Sequence, residues 1–173
     1  MKKTLLILCL CAFSPYFVKA EEHHHGHSHS RNEIGLSGGA MYSSDHKKWG
    51  AGTHIHYYRT FTAHSKWSFG AMAEYAYIDG SHTTLGAGIK YEIIHGLNIG
   101  ILPGVTFLEH KHKEDGHDAG HSHKHKKTQF STHFELVYDL IHLDKFHFGP
   151  VLDYSVSKGD NHGMIGVHAA FCF

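Results

Sequence analysis

Residues 67–78 read WSFGAMAEYAYI, and this stretch decides the fold class. Every second residue from Trp67 to Tyr77 is aromatic or alanine, whereas the residues between them include Ser68 and Glu74. Side chains alternate between the two faces of a β-strand, so a period of two predicts a strand with one apolar and one polar face. An amphipathic helix would instead repeat its apolar residues every three to four positions.

The same alternation recurs along the chain from Glu33 onward. Each run is about 10 to 13 residues long, and clusters of Gly, Asp, Ser, His or Lys separate one run from the next. Eight strands are predicted, at 33–43, 49–61, 67–78, 83–94, 97–109, 129–141, 146–157 and 163–173. The fold class that follows is all-β, with eight antiparallel strands.

The alternation alone does not say which face is inside, and a soluble barrel or sandwich is the alternative to a membrane barrel. Four features favour the membrane. The strands are long enough to cross a bilayer, which takes about 9–11 tilted residues. Aromatic residues concentrate toward the strand ends of the apolar face, and glycines crowd the polar face. The chain also ends on Phe173, with Phe171 on the same apolar face.

Residues 1–20 have the composition of a secretory signal peptide. Lys2 and Lys3 precede an apolar run at 5–13, and Ala20 lies at a small-residue cleavage site. The run is too short to span a bilayer as a helix, which needs about 20 apolar residues. We therefore predict export of the remaining chain across the inner membrane.

The predicted domains are the signal peptide, a disordered His-rich periplasmic tail at 21–32 and a barrel at 33–173. Loss of three signal lysines changes 16 basic and 16 acidic residues to 13 and 16, a net charge of −3 before histidine. This balance argues against a nucleic-acid partner. Cys172 is the one cysteine outside the signal peptide, so no internal disulfide is expected.

A signal peptide, eight alternating strands and a terminal Phe173 resemble the small bacterial outer-membrane β-barrels of the OmpA and OmpX type. The resemblance implies an outer-membrane protein surrounded by lipid and lipopolysaccharide, expected to be monomeric. In that family the terminal Phe is read by the barrel-assembly machinery. With a periplasmic N-terminus, the periplasmic turns are short and the one long connection, 110–128, is an extracellular loop rich in histidine.

Histidine is concentrated in the tail and in this long connection. The tetrapeptide Gly-His-Ser-His occurs in both, at 26–29 and at 120–123. Neutral imidazole binds zinc, copper, nickel and iron, and flexible His-rich tracts bind such ions without a fixed site. The candidate metal ligands are His23, His24, His25, His27, His29, His110, His112, His117, His121, His123 and His125.

The leading hypothesis is therefore an outer-membrane barrel that binds transition-metal ions, zinc first, for acquisition, buffering or sensing. The tracts have an alternative interpretation as simple polar, solubilising segments. The lysines beside the loop histidines favour a second function, a structural or surface-interaction barrel that binds lipopolysaccharide or a host ligand, with histidines as a pH switch. No cofactor is expected to be obligatory.

Polar side chains on the inner face of the strands form a candidate interior cluster. Its members are His54, His56, Glu74, His133, Glu135, Asp153 and His168. Such a cluster could coordinate an ion, but the interior of an eight-stranded barrel is just wide enough to be filled by side chains. A packed polar plug is the alternative that we weigh more heavily.

An enzymatic role finds little support in the sequence. Ser131, His133 and Glu135 contain nucleophile, base and acid, but they follow one another on one face of one strand, about 7 Å apart per step. This spacing is too long for the nucleophile–base hydrogen bond of ~2.6–3.2 Å. We expect no enzyme, and a lipid-modifying activity is a third interpretation.

Overall fold

The computed structural model describes residues 30–62, 64–78, 80–111 and 124–173. These residues form nine β-strands: β1 Asn32–Ser43, β2 Lys48–Thr60, β3 Trp67–Tyr77, β4 Ser81–Ile94, β5 Leu97–Lys111, β6 Lys124–Tyr138, β7 Ile141–Leu143, β8 Phe146–Ser157 and β9 His162–Cys172. In the described part of the chain, no helix has the length and apolar character needed to cross a membrane.

All strand pairs are antiparallel, and the sheet closes on itself. Each strand from β1 to β5 pairs with the next, β8 pairs with β9, and β9 pairs with β1. The three-residue β7 and the longer β6 both pair with β8, so together they occupy one position around the barrel. The prediction of an eight-stranded antiparallel barrel is confirmed as a fold class.

The predicted sixth strand, 129–141, has different bounds in the structure. Pairing with β5 continues outward to Lys111 opposite Lys124, so both strands extend into the predicted connection 110–128, which shortens to 112–123. At the other end, the Asp139 N–H donates to Gly96 O, whereas the Leu140 N–H donates to Phe148 O. The register against β8 also shifts by one residue between the pairs Val137–Val151 and Ile141–Phe148, so the strand is interrupted there and resumes as β7.

The outer face of the barrel is a continuous apolar surface. Side chains that a soluble protein would bury are exposed, with Val167 at 72 % and Trp49 at 69 % exposure. An apolar exterior of this extent fits a hydrocarbon environment, since soluble monomers rarely expose large contiguous apolar patches. This surface is the lipid-facing belt of a transmembrane barrel.

The barrel has two rims, named here the terminal end and the long-loop end. The terminal end carries β1 and β9 where Asn32 meets Phe173, and the long-loop end carries the connection at 112–123. Aromatic pairs lie on the outer face near both rims. Trp67 and Tyr91 pack near the terminal end with ring centroids 4.5 Å apart, and Tyr42 and Trp49 pack near the long-loop end at 5.1 Å.

Candidate functional site: imidazole–carboxylate clusters inside the barrel

The barrel interior contains buried histidines and carboxylates instead of an apolar core. Among the described residues, four groups of three such side chains bring one ligand atom each to within 4.8 Å of one another. Inward positions alternate with lipid-facing ones along every strand, which is why polar residues at a period of two meet in the interior. Three sets of contacts can be followed from the long-loop end to the terminal end.

The mouth cluster consists of His82, Asp160 and His162, and all three side chains are almost fully buried. His82 Nδ1 lies 3.0 Å from one carboxylate oxygen of Asp160, and His162 Nδ1 lies 3.8 Å from the other. His82 is near the start of β4 and His162 begins β9, so the cluster lies just inside the long-loop end.

Asp160 reaches the mouth cluster because the turn between β8 and β9 folds inward. The Ser157 hydroxyl donates to Asp160 O at 2.7 Å, and the Ser157 N–H donates to Asn161 Oδ1 at 3.1 Å. The Asn161 N–H in turn donates to Asp45 Oδ2 at 2.8 Å, which ties this turn to the one between β1 and β2. The turn thus holds the Asp160 carboxylate over the barrel mouth.

The electrostatics of Asp160 follow from these neighbours. Burial alone would raise the pKa of its carboxyl, but the adjacent His162 and His82 imidazoles outweigh burial and hold the pKa below its usual range. The carboxylate is therefore ionised at neutral pH.

The middle cluster consists of Glu74, His133 and Asp153, and it touches the mouth cluster through a contact of 3.4 Å between Glu74 Oε1 and His162 Nε2. His133 Nδ1 lies 3.3 Å from Asp153 Oδ1, and its Nε2 lies 3.2 Å from the Ser155 hydroxyl. Serine, histidine and aspartate are thus connected in the order of a hydrolase triad. Ser155 and His133 have no exposed surface, so no substrate reaches the hydroxyl, and the set is polar packing.

The base cluster consists of Glu33, His56 and His168 and lies toward the terminal end. Lys90 forms an ion pair with Glu33, and His56 Nε2 lies 3.3 Å from the same carboxylate oxygen. The His56 and His168 rings stack with centroids 5.1 Å apart. A Cβ on Gly35 would lie 2.3 Å from His56 Nε2, so this glycine provides the space for the stacked imidazoles.

His54 and Glu135 lie between the middle and base clusters. His54 Nε2 is 2.8 Å from Glu135 Oε2, and the His54 and His56 ring centroids are 5.6 Å apart. Glu135, His54 and His56 form the fourth group with metal-ligand spacing. Imidazoles and carboxylates therefore follow one another from one end of the barrel to the other.

The structure places all seven residues of the predicted interior cluster inside the barrel. It does not bring them into one site: they are divided among the middle cluster, the base cluster and the His54–Glu135 pair. Their side chains fill the interior and pair with one another, as buried charges must.

The mouth cluster was missed by the sequence analysis. His82 and His162 each lie one residue before a predicted strand, 83–94 and 163–173, and Asp160 lies in a predicted loop. The alternation could have identified both histidines. His82 lies two residues before the inward-facing Thr84, and His162 lies two residues before the inward-facing Met164.

The predicted metal ligands of the tail and loop lie mostly outside the described residues. His23, His24, His25, His27, His29, His112, His117, His121 and His123 belong to this set. The backbone of the other two is described, and the β5–β6 register pairs His110 directly with His125. One histidine from each side of the connection thus occupies adjacent backbone positions where the hairpin leaves the barrel.

A closed eight-stranded barrel with an apolar exterior and a polar interior is the fold of the small outer-membrane β-barrels. Solved structures of this class align with nearly the whole barrel. Ail of Yersinia pestis, in complex with the heparin analogue sucrose octasulfate, matches with a TM-score of 0.59 at 17 % identity, covering 83 % of this chain and 99 % of Ail. Neisserial surface protein A matches with a TM-score of 0.58 at 11 % identity, covering 86 % and 100 %.

The N-terminal barrel domain of Pseudomonas aeruginosa OprF is a further match, with a TM-score of 0.51 at 12 % identity, covering 83 % of this chain and 99 % of the domain. Neither the protein-family models nor the curated proteins match the sequence. The similarity is therefore one of fold, and the interior histidines have to be interpreted from their own chemistry.

Proposed function

We propose that this protein is an outer-membrane barrel that binds transition-metal ions, zinc first, through its His-rich tail and loop. The observation that carries the proposal is the pairing of His110 with His125 at the base of the loop hairpin. This register fixes the two ends of the loop side by side at the long-loop end of the barrel. The predicted signal peptide and the lipid-facing belt support a location in the outer membrane.

The tracts offer imidazole nitrogens, so they favour metal ions that prefer nitrogen ligands. His-x-His spacing gives two imidazoles on a short flexible segment, and neutral imidazole is a common ligand of zinc, copper and nickel. With the N-terminus in the periplasm, one tract would bind ions outside the cell and the other inside the envelope. Metal ions bound on both sides of the outer membrane could serve acquisition, buffering or sensing.

Zinc titration of the refolded mature protein tests the proposal. We expect the wild type to bind several ions per chain, and we expect most of this capacity to disappear when the eleven tract histidines are changed to serine. Replacing the exposed His64 and His95, which lie outside the tracts, is the matched control and should leave the capacity unchanged. Equal capacity in the wild type and the eleven-residue variant would refute tract binding.

A second candidate function is binding of lipopolysaccharide or another polyanionic surface ligand. The β5–β6 register pairs Lys111 with Lys124 beyond the histidine pair, and Lys126 and Lys127 follow on β6. The similar barrel Ail is described with a heparin analogue, sucrose octasulfate. Cationic loop histidines would strengthen such binding on acidification.

Metal-free binding to lipopolysaccharide vesicles at pH 7.5 and 5.5 separates the two functions. The second function requires higher affinity at the lower pH and loss of binding when the four lysines are changed to serine. Affinity that depends on zinc but not on these lysines would favour the metal function instead.

A further inference from the structure

We propose that the mouth cluster is a discrete site for one transition-metal ion of the zinc class, with His82, Asp160 and His162 as ligands and Glu74 as the residue that orients His162. This site goes beyond the proposed function of the tail and loop, since none of its residues belongs to either tract. It would exist even if the tracts bound nothing.

The distances fit a metal site. The two imidazole nitrogens are 3.0 and 3.8 Å from the Asp160 oxygens that face them, and one ligand atom from each residue falls within 4.8 Å of the others. Zinc bonds of about 2.0–2.2 Å in tetrahedral geometry place ligand atoms about 3.3–3.6 Å apart. The three ligand atoms would therefore have to close from separations of up to 4.8 Å to about 3.3–3.6 Å to share one ion.

The polar side-chain atoms of Asp160 and His162 are buried without aligned hydrogen bonds. Among the described residues, neither ring nitrogen of His162 and neither carboxylate oxygen of Asp160 makes one, although the opposing atoms are at contact distance. Buried polar groups are normally hydrogen-bonded, and each exception calls for an explanation. Lone pairs that converge on one point, as metal ligands do, account for close contacts without hydrogen-bond alignment.

Glu74 supplies the outer contact that a metal-binding histidine usually has. Its Oε1 lies 3.4 Å from His162 Nε2, on the side of the ring opposite Asp160. A carboxylate at this position fixes the ring orientation and leaves Nδ1 free of its proton for the metal. The site thus has two carboxylate side chains, Asp160 and Glu74, to offset the charge of a divalent ion.

The other clusters are poorer metal sites for reasons of charge and ligand type. In the base cluster, Lys90 already places a cation on Glu33, and a second cation would be repelled. The middle cluster has a single imidazole, His133, whose two nitrogens face Asp153 and Ser155. The fourth group shares His56 with the base cluster, where Glu33 already faces that imidazole at 3.3 Å. The mouth cluster has two imidazoles that belong to no other group, and no buried lysine or arginine lies beside it among the described residues.

The site adjoins an exposed turn. Lys158 and Gly159 are exposed, and the next residue of this turn is the buried Asp160. Three protein ligands leave a fourth position for water, which is typical of sites whose ion exchanges.

The experiment uses the refolded mature protein in which all eleven tract histidines are serine. Zinc chloride is titrated against a competing chelator, and cobalt chloride is added in parallel to record the visible spectrum of a tetrahedral site. We expect one ion per chain. Asp160→Asn and His162→Gln should each weaken binding at least 100-fold and remove the tetrahedral cobalt spectrum, whereas Glu74→Gln should weaken it 10- to 100-fold.

His56→Gln is the matched control, because it removes an equally buried imidazole from the base cluster. It should leave zinc affinity and the cobalt spectrum unchanged, and circular dichroism verifies that each variant is folded. The proposal is overturned if the tract-free protein binds no zinc, if the bound ion survives both Asp160→Asn and His162→Gln, or if His56→Gln weakens binding to the same extent. If the tract histidines bind no metal, the proposed function fails, but the tract-free protein should still bind one ion per chain at the mouth cluster.

Discussion

The two ends of the barrel interior balance their buried carboxylates in different ways. Toward the terminal end, the Glu33 carboxylate is paired with Lys90, a permanent cation. Toward the long-loop end, the partners of Asp160 are the imidazoles of His82 and His162. An ammonium group cannot ligate a metal, whereas an imidazole can exchange its proton for one. One end therefore holds a fixed ion pair, whereas the other, the adaptable end, can exchange a proton for a metal ion.

The largest effect is expected from breaking the fixed pair. Lys90→Met leaves the Glu33 carboxylate without its permanent cation, and removal of one partner of a buried pair typically costs about 3–5 kcal/mol. Urea unfolding in lipid vesicles measures the loss. The double variant Lys90→Met with Glu33→Gln should recover most of it, and equal losses in the single and double variants would contradict the pairing argument.

Zinc should stabilise the adaptable end by a somewhat smaller amount. A ligand that binds only the folded state at 100 times its Kd adds about 2.7 kcal/mol to the free energy of unfolding. We expect this increment in the tract-free protein and in its Lys90→Met derivative alike, because the fixed pair does not contribute ligands. The His162→Gln derivative should gain nothing, and a gain there equal to that of the parent would contradict the assignment of the site.

Crowding the stacked histidines should cost about 1–3 kcal/mol, the usual range for overpacking. Gly35→Ala places a methyl group 2.3 Å from His56 Nε2 and 2.9 Å from His168 Cε1. At Gly38 the nearest atom would be 3.5 Å away, so Gly38→Ala is the control. Thermal unfolding of both variants gives the comparison, and similar losses at the two positions would show that the stack is not tightly packed.

The smallest effect is expected from acid. Because the folded-state pKa of Asp160 is lowered, its ionisation stabilises the fold above the unfolded-state value of about 3.9, and this contribution disappears as pH falls through the folded-state pKa. Asp160→Asn should therefore flatten the fall in unfolding free energy below about pH 4. Asp144→Asn, at an exposed turn of the terminal end, is the control and should keep the wild-type slope.

The fold was predictable because the alternation from Trp67 to Tyr77 and its repeats are local signals. The strand bounds were less predictable. Histidine and lysine around Lys111 and Lys124 are typical of a loop, yet the hairpin ladder continues through both because pairing with a formed neighbour outweighs local preference.

The arrangement of the interior was only partly predictable. The alternation of inward and outward residues predicts that His133 and Asp153 face the interior. The contact of His133 with Ser155 depends on the register between β6 and β8, which no local pattern encodes. Asp160 is less predictable still, since it reaches the interior only through the inward fold of its turn. The predicted signal peptide and the roles of the tail and loop histidines stay predictions.

The seam between the first and last strands has a consequence for folding kinetics. Asn32 and Phe173 exchange two backbone hydrogen bonds of 3.1 and 2.9 Å, although they are 141 positions apart in the chain. Sequentially adjacent hairpins can form by short loop closures, whereas this pairing must wait until the two ends of the sheet meet. Until then β1 and β9 are unpaired edges that can add to a neighbouring chain, so the rate of seam closure sets how long each molecule is prone to aggregate.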